Sequence, residues 1–253
     1  GKAGNDSIDG GLGNDYLHGE DGDDVITDAD GDDLIWGDAG NDRINAGLGL
    51  DQVFGGSGND TLYGGAGADV MEGGTGNDLM YGDNGVVNAA GVMDAIGDAD
   101  LMAGGDGNDT LYGGGGDDGI DGGDGDDVIY GGTGLNLLTG GLGNDQFIME
   151  ASSEGLGNAM DGGLGYDVVD YSASNGTVPV AGGARTGINI NMSVPNPAVV
   201  AVPFDTFISV EGLIGTRLND TLVGGATIVN IYVTDPLTGL PVPSPDGLLQ
   251  LDL

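Results

Sequence analysis

Aspartate recurs along this chain at a spacing of nine residues: Asp6, Asp15, Asp24, Asp33, Asp42, Asp51, Asp60, Asp69 and Asp78 without a break, then Asp100, Asp109, Asp118, Asp127, Asp145 and Asp167. Carboxylates offer three kinds of chemistry. In close pairs they transfer protons, as in glycoside hydrolysis. Among other oxygen donors they hold hard cations, and singly they are merely solvated. Adjacent acids do occur, Asp23 with Asp24 and Asp126 with Asp127, but both pairs stand in the nine-residue register, which points to cation ligation or solvation rather than proton transfer. The rest of the catalytic inventory is short: no Cys, one His (His18), and no HExxH, GxSxG or lysine-bearing phosphate loop. The chain is read as non-enzymatic.

The residues around each aspartate say how it must be positioned. Residues 1–81 are nine copies of GGxGxDxUx, where U is a large apolar residue; residues 55–63 read GGSGNDTLY, 64–72 GGAGADVME and 73–81 GGTGNDLMY. Position 4 is Gly from Gly4 to Gly76, and position 8 is apolar throughout, from Ile8 and Leu17 to Met71 and Met80. Positions 1 and 2 drift, at Lys2, Glu20, Asp28, Asp38 and Ala46. Six residues dominated by Gly, Asn and Asp favour a turn over a helix. The last three form a short strand whose middle side chain points inward and whose neighbours point outward. So short a strand is unstable alone, and the repeats must stack. If turns alternate from side to side, two repeats make a coil of eighteen residues, and Asp6 lies above Asp24, Asp15 above Asp33, and so on to Asp60 above Asp78. Stacked carboxylates repel unless a cation lies between them. With the carbonyls of Gly-rich turns they form an all-oxygen site of flexible dimensions, which favours Ca²⁺ over Mg²⁺.

Nine such repeats in unbroken register resemble the RTX (repeats-in-toxin), haemolysin-type calcium-binding nonapeptide regions of secreted Gram-negative proteins. The resemblance implies an all-β fold: a right-handed parallel β-roll (β-solenoid) with calcium between turns two repeats apart. It implies that the position-6 aspartates, all fifteen named above, act as ligands together with turn carbonyls. It also implies passage through a type I exporter and a secreted, extracellular or cell-surface location.

Composition agrees with a need for cations. The chain has 253 residues, 57 of them Gly, and 42 Asp and Glu against 4 Lys and Arg, a formal charge of −38. Such a chain repels itself and resists folding without counter-ions. About a dozen Ca²⁺ would cancel roughly 24 of the 38 charges. Nucleic-acid binding is excluded by the lack of basic residues, only Lys2, Arg43, Arg185 and Arg217 being present. No apolar run approaches the ~18 residues of a membrane span. The absence of Cys fits export as an unfolded chain that needs no disulfides. The chain starts inside a repeat, without an initiator Met, and is expected to be a piece of a longer protein.

Five segments are expected. Residues 1–81 are a first block of rungs. Residues 82–103 hold an insertion (82–94) and a degenerate repeat that keeps Asp100 and Met102. Residues 104–170 are a second block, with an insertion at 149–161 and with Asn136 in place of Asp, which should weaken any calcium site shared with Asp118. Residues 171–223 read as a β-rich C-terminal cap covering the exposed strand edges. Within it, 204–223 resembles the degenerate rungs that close such rolls, but Leu218 stands where Gly is expected and sets Asp220 outside the ligand set. Residues 224–253 read as a hairpin or linker, or as the start of a further segment. Position 9 faces outward, where His18, Trp36 and Phe54 fall in line, as do Tyr63 with Tyr81 and Tyr112 with Tyr130. They are expected to form cross-strand ladders that stiffen the sheets, the alternative being a flat platform for a glycan or a neighbouring protein.

The function expected is that of a calcium-triggered folding module, disordered without Ca²⁺, that acts as folding nucleus, spacer or scaffold. Two alternatives stand beside it. One is a Ca²⁺-dependent adhesin or surface-layer protein that self-associates. The other is the tail of an exported enzyme, such as a protease, lipase or alginate epimerase, whose catalytic domain lies elsewhere.

Overall fold

A computed structural model describes residues 1–83, 97–149 and 158–170, together with the backbone of the strands Asn189–Met192, Thr206–Ile208, Gly212–Ile214, Thr221–Gly224 and Asn230–Tyr232. Apart from those strands, the expected cap at 171–223 and the segment 224–253 lie outside the described residues, as do 84–96 and 150–157 of the two insertions.

Each repeat ends in a strand, and successive strands fall alternately in two sheets. Ser7–Asp9, Val25–Thr27, Arg43–Leu48 and Thr61–Ala66 open an eleven-stranded sheet; Tyr16–Asp21, Leu34–Ala39, Gln52–Ser57 and Val70–Thr75 open a nine-stranded one. Every pairing is parallel. Ile8 stands opposite Ile26 and Ile35 opposite Val53, eighteen residues on, so two repeats make one coil. The fold is an all-β solenoid, with no helix among the described residues.

The core is a double column of position-8 side chains. Ile26, Ile44, Leu62, Met80, Leu111, Ile129, Phe147 and Val169 come from the first sheet, and Ile35, Val53, Met71, Met102, Ile120, Leu138 and Met160 from the second, all buried in one cluster. Position 8 is the one place in each repeat that regularly supplies a large apolar side chain, with Ala46 and Met149 joining the cluster, so the strand's period of two and the nine-residue repeat together dictate a core two residues wide.

The coil keeps its register where the sequence departs from the pattern. Met71 pairs with Met102 and Met80 with Leu111, a step of 31 residues, thirteen more than a coil. Leu138 pairs with Met160 and Phe147 with Val169, a step of 22. The strand Ala159–Leu164 thus carries the coil into the last residues of the 149–161 stretch, because Met160 supplies the one apolar side chain that a rung needs. The GGxG signal that marks the other rungs is missing there, so the sequence pattern alone does not find it.

Close stacking explains the glycines at position 4. Gly76 has φ of 127°, and a Cβ on it would lie 1.8 Å from the Gly58 carbonyl oxygen of the preceding coil. Gly13 also has positive φ, but its missing Cβ faces open space at the end of the roll. Gly76→Ala is therefore expected to destabilise the calcium-loaded protein by at least ~2 kcal/mol more than Gly13→Ala, whose cost is backbone strain alone, in urea unfolding followed by circular dichroism.

The outward aromatics form the two expected ladders. His18, Trp36 and Phe54 stack at centroid distances of 4.4 and 5.5 Å, and His18 Nδ1 lies 2.8 Å from Asp38 Oδ2. Tyr63, Tyr81, Tyr112 and Tyr130 form a single run of four, at 4.9, 4.8 and 4.2 Å, because the 31-residue step brings Tyr81 against Tyr112. The ring faces are turned to one another, which favours stiffening over a flat platform.

Candidate metal centre

Position 6 is the last turn residue before each strand. The backbone of Asp24 shows how it is held: its carbonyl accepts the N–H of Arg43 at 2.8 Å, and its N–H donates to Oδ1 of Asp42 at 2.7 Å. The same bond recurs from coil to coil, so the position-6 side chains form two ladders, one along each edge of the roll. The first runs Asp6, Asp24, Asp42, Asp60, Asp78, Asp109, Asp127, Asp145, Asp167, with every backbone N–H donating to the next carboxylate at 2.6–2.9 Å. The second runs Asp15, Asp33, Asp51, Asp69, Asp100, Asp118 and then Asn136 and Asn158. All fifteen aspartates singled out in the sequence fall on these two lines. Asn158, at the head of the unmarked rung, is an addition that the sequence pattern does not provide.

Each bond fixes Oδ1 and leaves the other oxygen over. Along both ladders Oδ2 is buried without a hydrogen-bond donor, at Asp15, Asp24, Asp33, Asp42, Asp51, Asp60, Asp69, Asp78, Asp100, Asp109, Asp118, Asp127 and Asp145. Asp6, at the open end, differs in that its Oδ2 accepts the N–H of Lys2 at 2.8 Å.

The space that Oδ2 faces is defined by the position-1 glycines. A Cβ built on Gly19, Gly37, Gly55, Gly73, Gly104, Gly122 or Gly140 would lie 2.2–2.4 Å from the Oδ2 of its own repeat and 2.4–2.6 Å from the position-1 carbonyl oxygen of the next coil. Gly64, Gly82 and Gly113 line the same cradle on the second ladder. A carboxylate oxygen and a peptide oxygen thus converge over a glycine, two acceptors with no donor between them. Hard cations take such oxygen sets at 2.3–2.6 Å for Ca²⁺.

Electrostatics agree. Without a cation, burial pushes the ladder carboxyls far above their ordinary value: to about 6 at Asp51 and Asp109, about 7 at Asp60, Asp69, Asp118 and Asp127, and about 8 at Asp100. The backbone N–H on Oδ1 pulls the other way, and neighbouring carboxylates mostly add to the rise. Asp33, Asp42, Asp78 and Asp145 are raised for the same leading reason.

Asn136 tests the fit from the other direction. Its Oδ1 takes the ladder bond from Asp118 N–H at 2.9 Å, and its Nδ2 donates to the Gly131 carbonyl at 2.9 Å. Where the carboxylate is replaced by an amide, the cradle is filled by a donor. The demand of the site is therefore for positive charge or hydrogen, and the aspartate rungs fit a cation.

One acid outside position 6 lies beside the second ladder without joining it. Asp28 stands at position 1, where Gly is expected, and one oxygen each of Asp15, Asp28 and Asp33 lie within 4.8 Å of one another. The sequence held the signal, an Asp in a glycine position, but periodicity directs attention only to residues that repeat.

A family model for the RTX calcium-binding nonapeptide repeat (4 copies) matches residues 1–26, 18–53, 54–86, 94–129 and 121–148. A search of curated proteins finds no match. No helix among the described residues is long and apolar enough to cross a membrane.

Proposed function

The chain belongs to the RTX calcium-binding nonapeptide repeat family, and on that premise we propose that it is a calcium-triggered folding module of an exported protein. The observation that carries this reading is the row of buried Oδ2 atoms without donors, which at every one of these rungs except those of Asp15, Asp33 and Asp51 face a glycine cradle and a peptide carbonyl. Asp15, Asp24, Asp33, Asp42, Asp51, Asp60, Asp69, Asp78, Asp100, Asp109, Asp118, Asp127 and Asp145 would ligate Ca²⁺ through that oxygen, with Asp6 and Asp167 closing the ends of the first ladder. The ions would number about a dozen. Without them, stacked buried carboxylates oppose the fold. With them, binding free energy becomes folding free energy. Low calcium inside the cell keeps the chain unfolded for a type I exporter, and extracellular calcium, matched to modules with affinities of about 10⁻⁴–10⁻³ M, folds it outside. The module itself is non-catalytic; any enzymatic activity would belong to other parts of an exported parent protein.

Far-UV circular dichroism during a Ca²⁺ titration tests this. A cooperative coil-to-β transition at sub-millimolar to millimolar Ca²⁺ is expected, absent with Mg²⁺ and reversed by EDTA. A β signal that survives EDTA at neutral pH would sink the folding switch and leave a permanently folded scaffold.

A second reading, a surface or adhesive role, draws on one feature. Val70, Leu101 and Leu137 stand exposed at position 7 of the nine-stranded sheet, in one cross-strand row interrupted by Gly119. If the roll self-associates in calcium through this row, light scattering should rise with Ca²⁺, and Leu101→Asp with Leu137→Asp should abolish the rise. A strict monomer in calcium would remove this role.

A further inference from the structure

Asp28 departs from the repeat at position 1, where its own side of the roll also carries a buried Ala46 but no other charge. On the first ladder, position 1 is Gly in every described coil, since even a methyl there would meet Oδ2 and a carbonyl oxygen. Asp28 puts a whole carboxymethyl group at that position, and the roll accommodates it. Its Oδ1 accepts the N–H of Ala29 at 2.6 Å. Its Oδ2 has no hydrogen-bond partner and points toward the preceding coil, where a Cβ on Gly10 would lie 1.9 Å from it. The side chain is only 7% exposed. One carboxylate oxygen each of Asp15 and Asp33 lies within 4.8 Å of one of Asp28 and of the other, and the Oδ2 atoms of both have no hydrogen-bond partner. Among the described residues, no Lys or Arg forms an ion pair with any of the three.

We propose that Asp15, Asp28 and Asp33 form a three-carboxylate cation site, distinct from the ordinary rungs, that binds a calcium or lanthanide ion more tightly than they do and fills first. The proposal rests on the calcium-ladder reading above. Each added coil brings one position-6 carboxylate to each ladder, so an ordinary rung would offer about one negative charge per divalent ion. Asp28 belongs to no ladder, and its charge is shared with no other ion. Charge count is one of the two variables that set calcium affinity in all-oxygen sites, the other being rigidity. Rigidity is supplied here by the bonds that fix Oδ1 of Asp28 and of Asp33. The site lies between the first and second coils, at the start of the roll, so an ion held there would order the coils on which later ones stack.

The test is a Tb³⁺ titration of the whole chain. Trp36 is the single Trp and lies three residues from Asp33, so indole-sensitised Tb³⁺ luminescence reports on this site. In a Tyr16→Phe background, which removes the tyrosine beside Asp15, excitation through Tyr81, Tyr112 and Tyr130 reports on later rungs. The indole-sensitised signal is expected to saturate at about tenfold lower Tb³⁺ than the tyrosine-sensitised one. Asp28→Asn, which keeps the acceptor for Ala29, should raise the indole midpoint about tenfold and leave the tyrosine midpoint unchanged. Asp28→Gly, which restores the repeat, should behave the same way, with circular dichroism at saturating Ca²⁺ confirming that each variant folds. An indole midpoint that is unchanged or tighter in both variants overturns the proposal, the tighter result meaning that Asp28 is a wedge occupying the ion's place. A wild-type indole signal that is absent or late, beside a normal tyrosine signal, overturns it equally. If neither chromophore sensitises Tb³⁺, the calcium ladder itself is refuted.

Discussion

Acidifying the calcium-free chain from about pH 8 to about pH 4 is expected to build β structure, the reverse of ordinary acid denaturation. The sign follows from the direction in which the carboxyls move. Ladder carboxyls are raised in the folded roll above the ordinary value of 3.8 that they keep in an unfolded chain, to about 6, 7 or 8 along the ladders. A fold that prefers its acids protonated has that contribution in full below about pH 4 and loses it as pH rises through 6 to 8. Every tenfold gain in proton affinity on folding corresponds to about 1.4 kcal/mol, so a few groups together exceed the stability of a typical domain. Far-UV circular dichroism in EDTA across this range is the measurement, with sedimentation to separate folding from precipitation, since the chain is near its pI of 4.1 at the acid end. A chain that remains coil at pH 4 would mean that carboxylate repulsion is not what keeps the calcium-free roll unfolded. In saturating calcium the dependence inverts. The ion holds the carboxylates ionised, protons compete with it, and lowering the pH should raise the calcium midpoint.

Replacing Asp42, Asp60, Asp78, Asp109 and Asp127 together by Asn is expected to give a chain that keeps its β signal in EDTA at neutral pH. Asn136 is the precedent in the native sequence. It preserves the ladder bond through Oδ1 and sends Nδ2 to the Gly131 carbonyl, so no acceptor is left over. Each substitution would remove a buried charge and supply a donor to the position-1 carbonyl of its repeat. A neutral buried hydrogen bond contributes about 1 kcal/mol, and relief of an unpaired buried acid adds more. The corresponding five alanine changes should do the opposite. They would strip the acceptor from five buried backbone N–H groups, that of Asp24 and those at positions 42, 60, 78 and 109. At about 1–3 kcal/mol each, this loss should abolish folding even in calcium. Isothermal titration should show the Asn chain taking up fewer ions than the native one. If it still required calcium to fold, the buried carboxylates left on the second ladder, Asp51, Asp69, Asp100 and Asp118 among them, would be enough by themselves to oppose the fold.

Much of this was legible because the repeat encodes its own geometry. Position 8 gave the core column from Ile26 to Val169, and position 6 gave both ladders. The eighteen-residue coil followed from the alternation of turns. What escaped was of two kinds. Met160 and Asn158 occupy a rung that lacks the GGxG spelling, since a coil needs only one inward apolar side chain and one position-6 acceptor, while the glycines serve the cradle and the tight turn. Asp28 stood out in the sequence only as a drift at position 1; its place beside Asp15 and Asp33 escaped because a periodic reading averages over positions. The eighteen-residue step already set Asn136 on the ladder of Asp118; Asn158, which follows it there, required the structure.

Pairing steps of 31 and 22 residues leave the stacking of Met71 on Met102 and of Leu138 on Met160 intact. Residue number and position along the axis are therefore separate quantities in this molecule. Each coil advances the axis by one strand spacing, about 4.8 Å, whatever extra chain its circuit carries. The roll is a ruler graduated in coils, and its graduations are indifferent to cargo placed between them. Segments placed between Asp83 and Gly97, or between Met149 and Asn158, could be lengthened or exchanged without moving what lies beyond, which makes these two points natural ports for displaying foreign peptides at a fixed height.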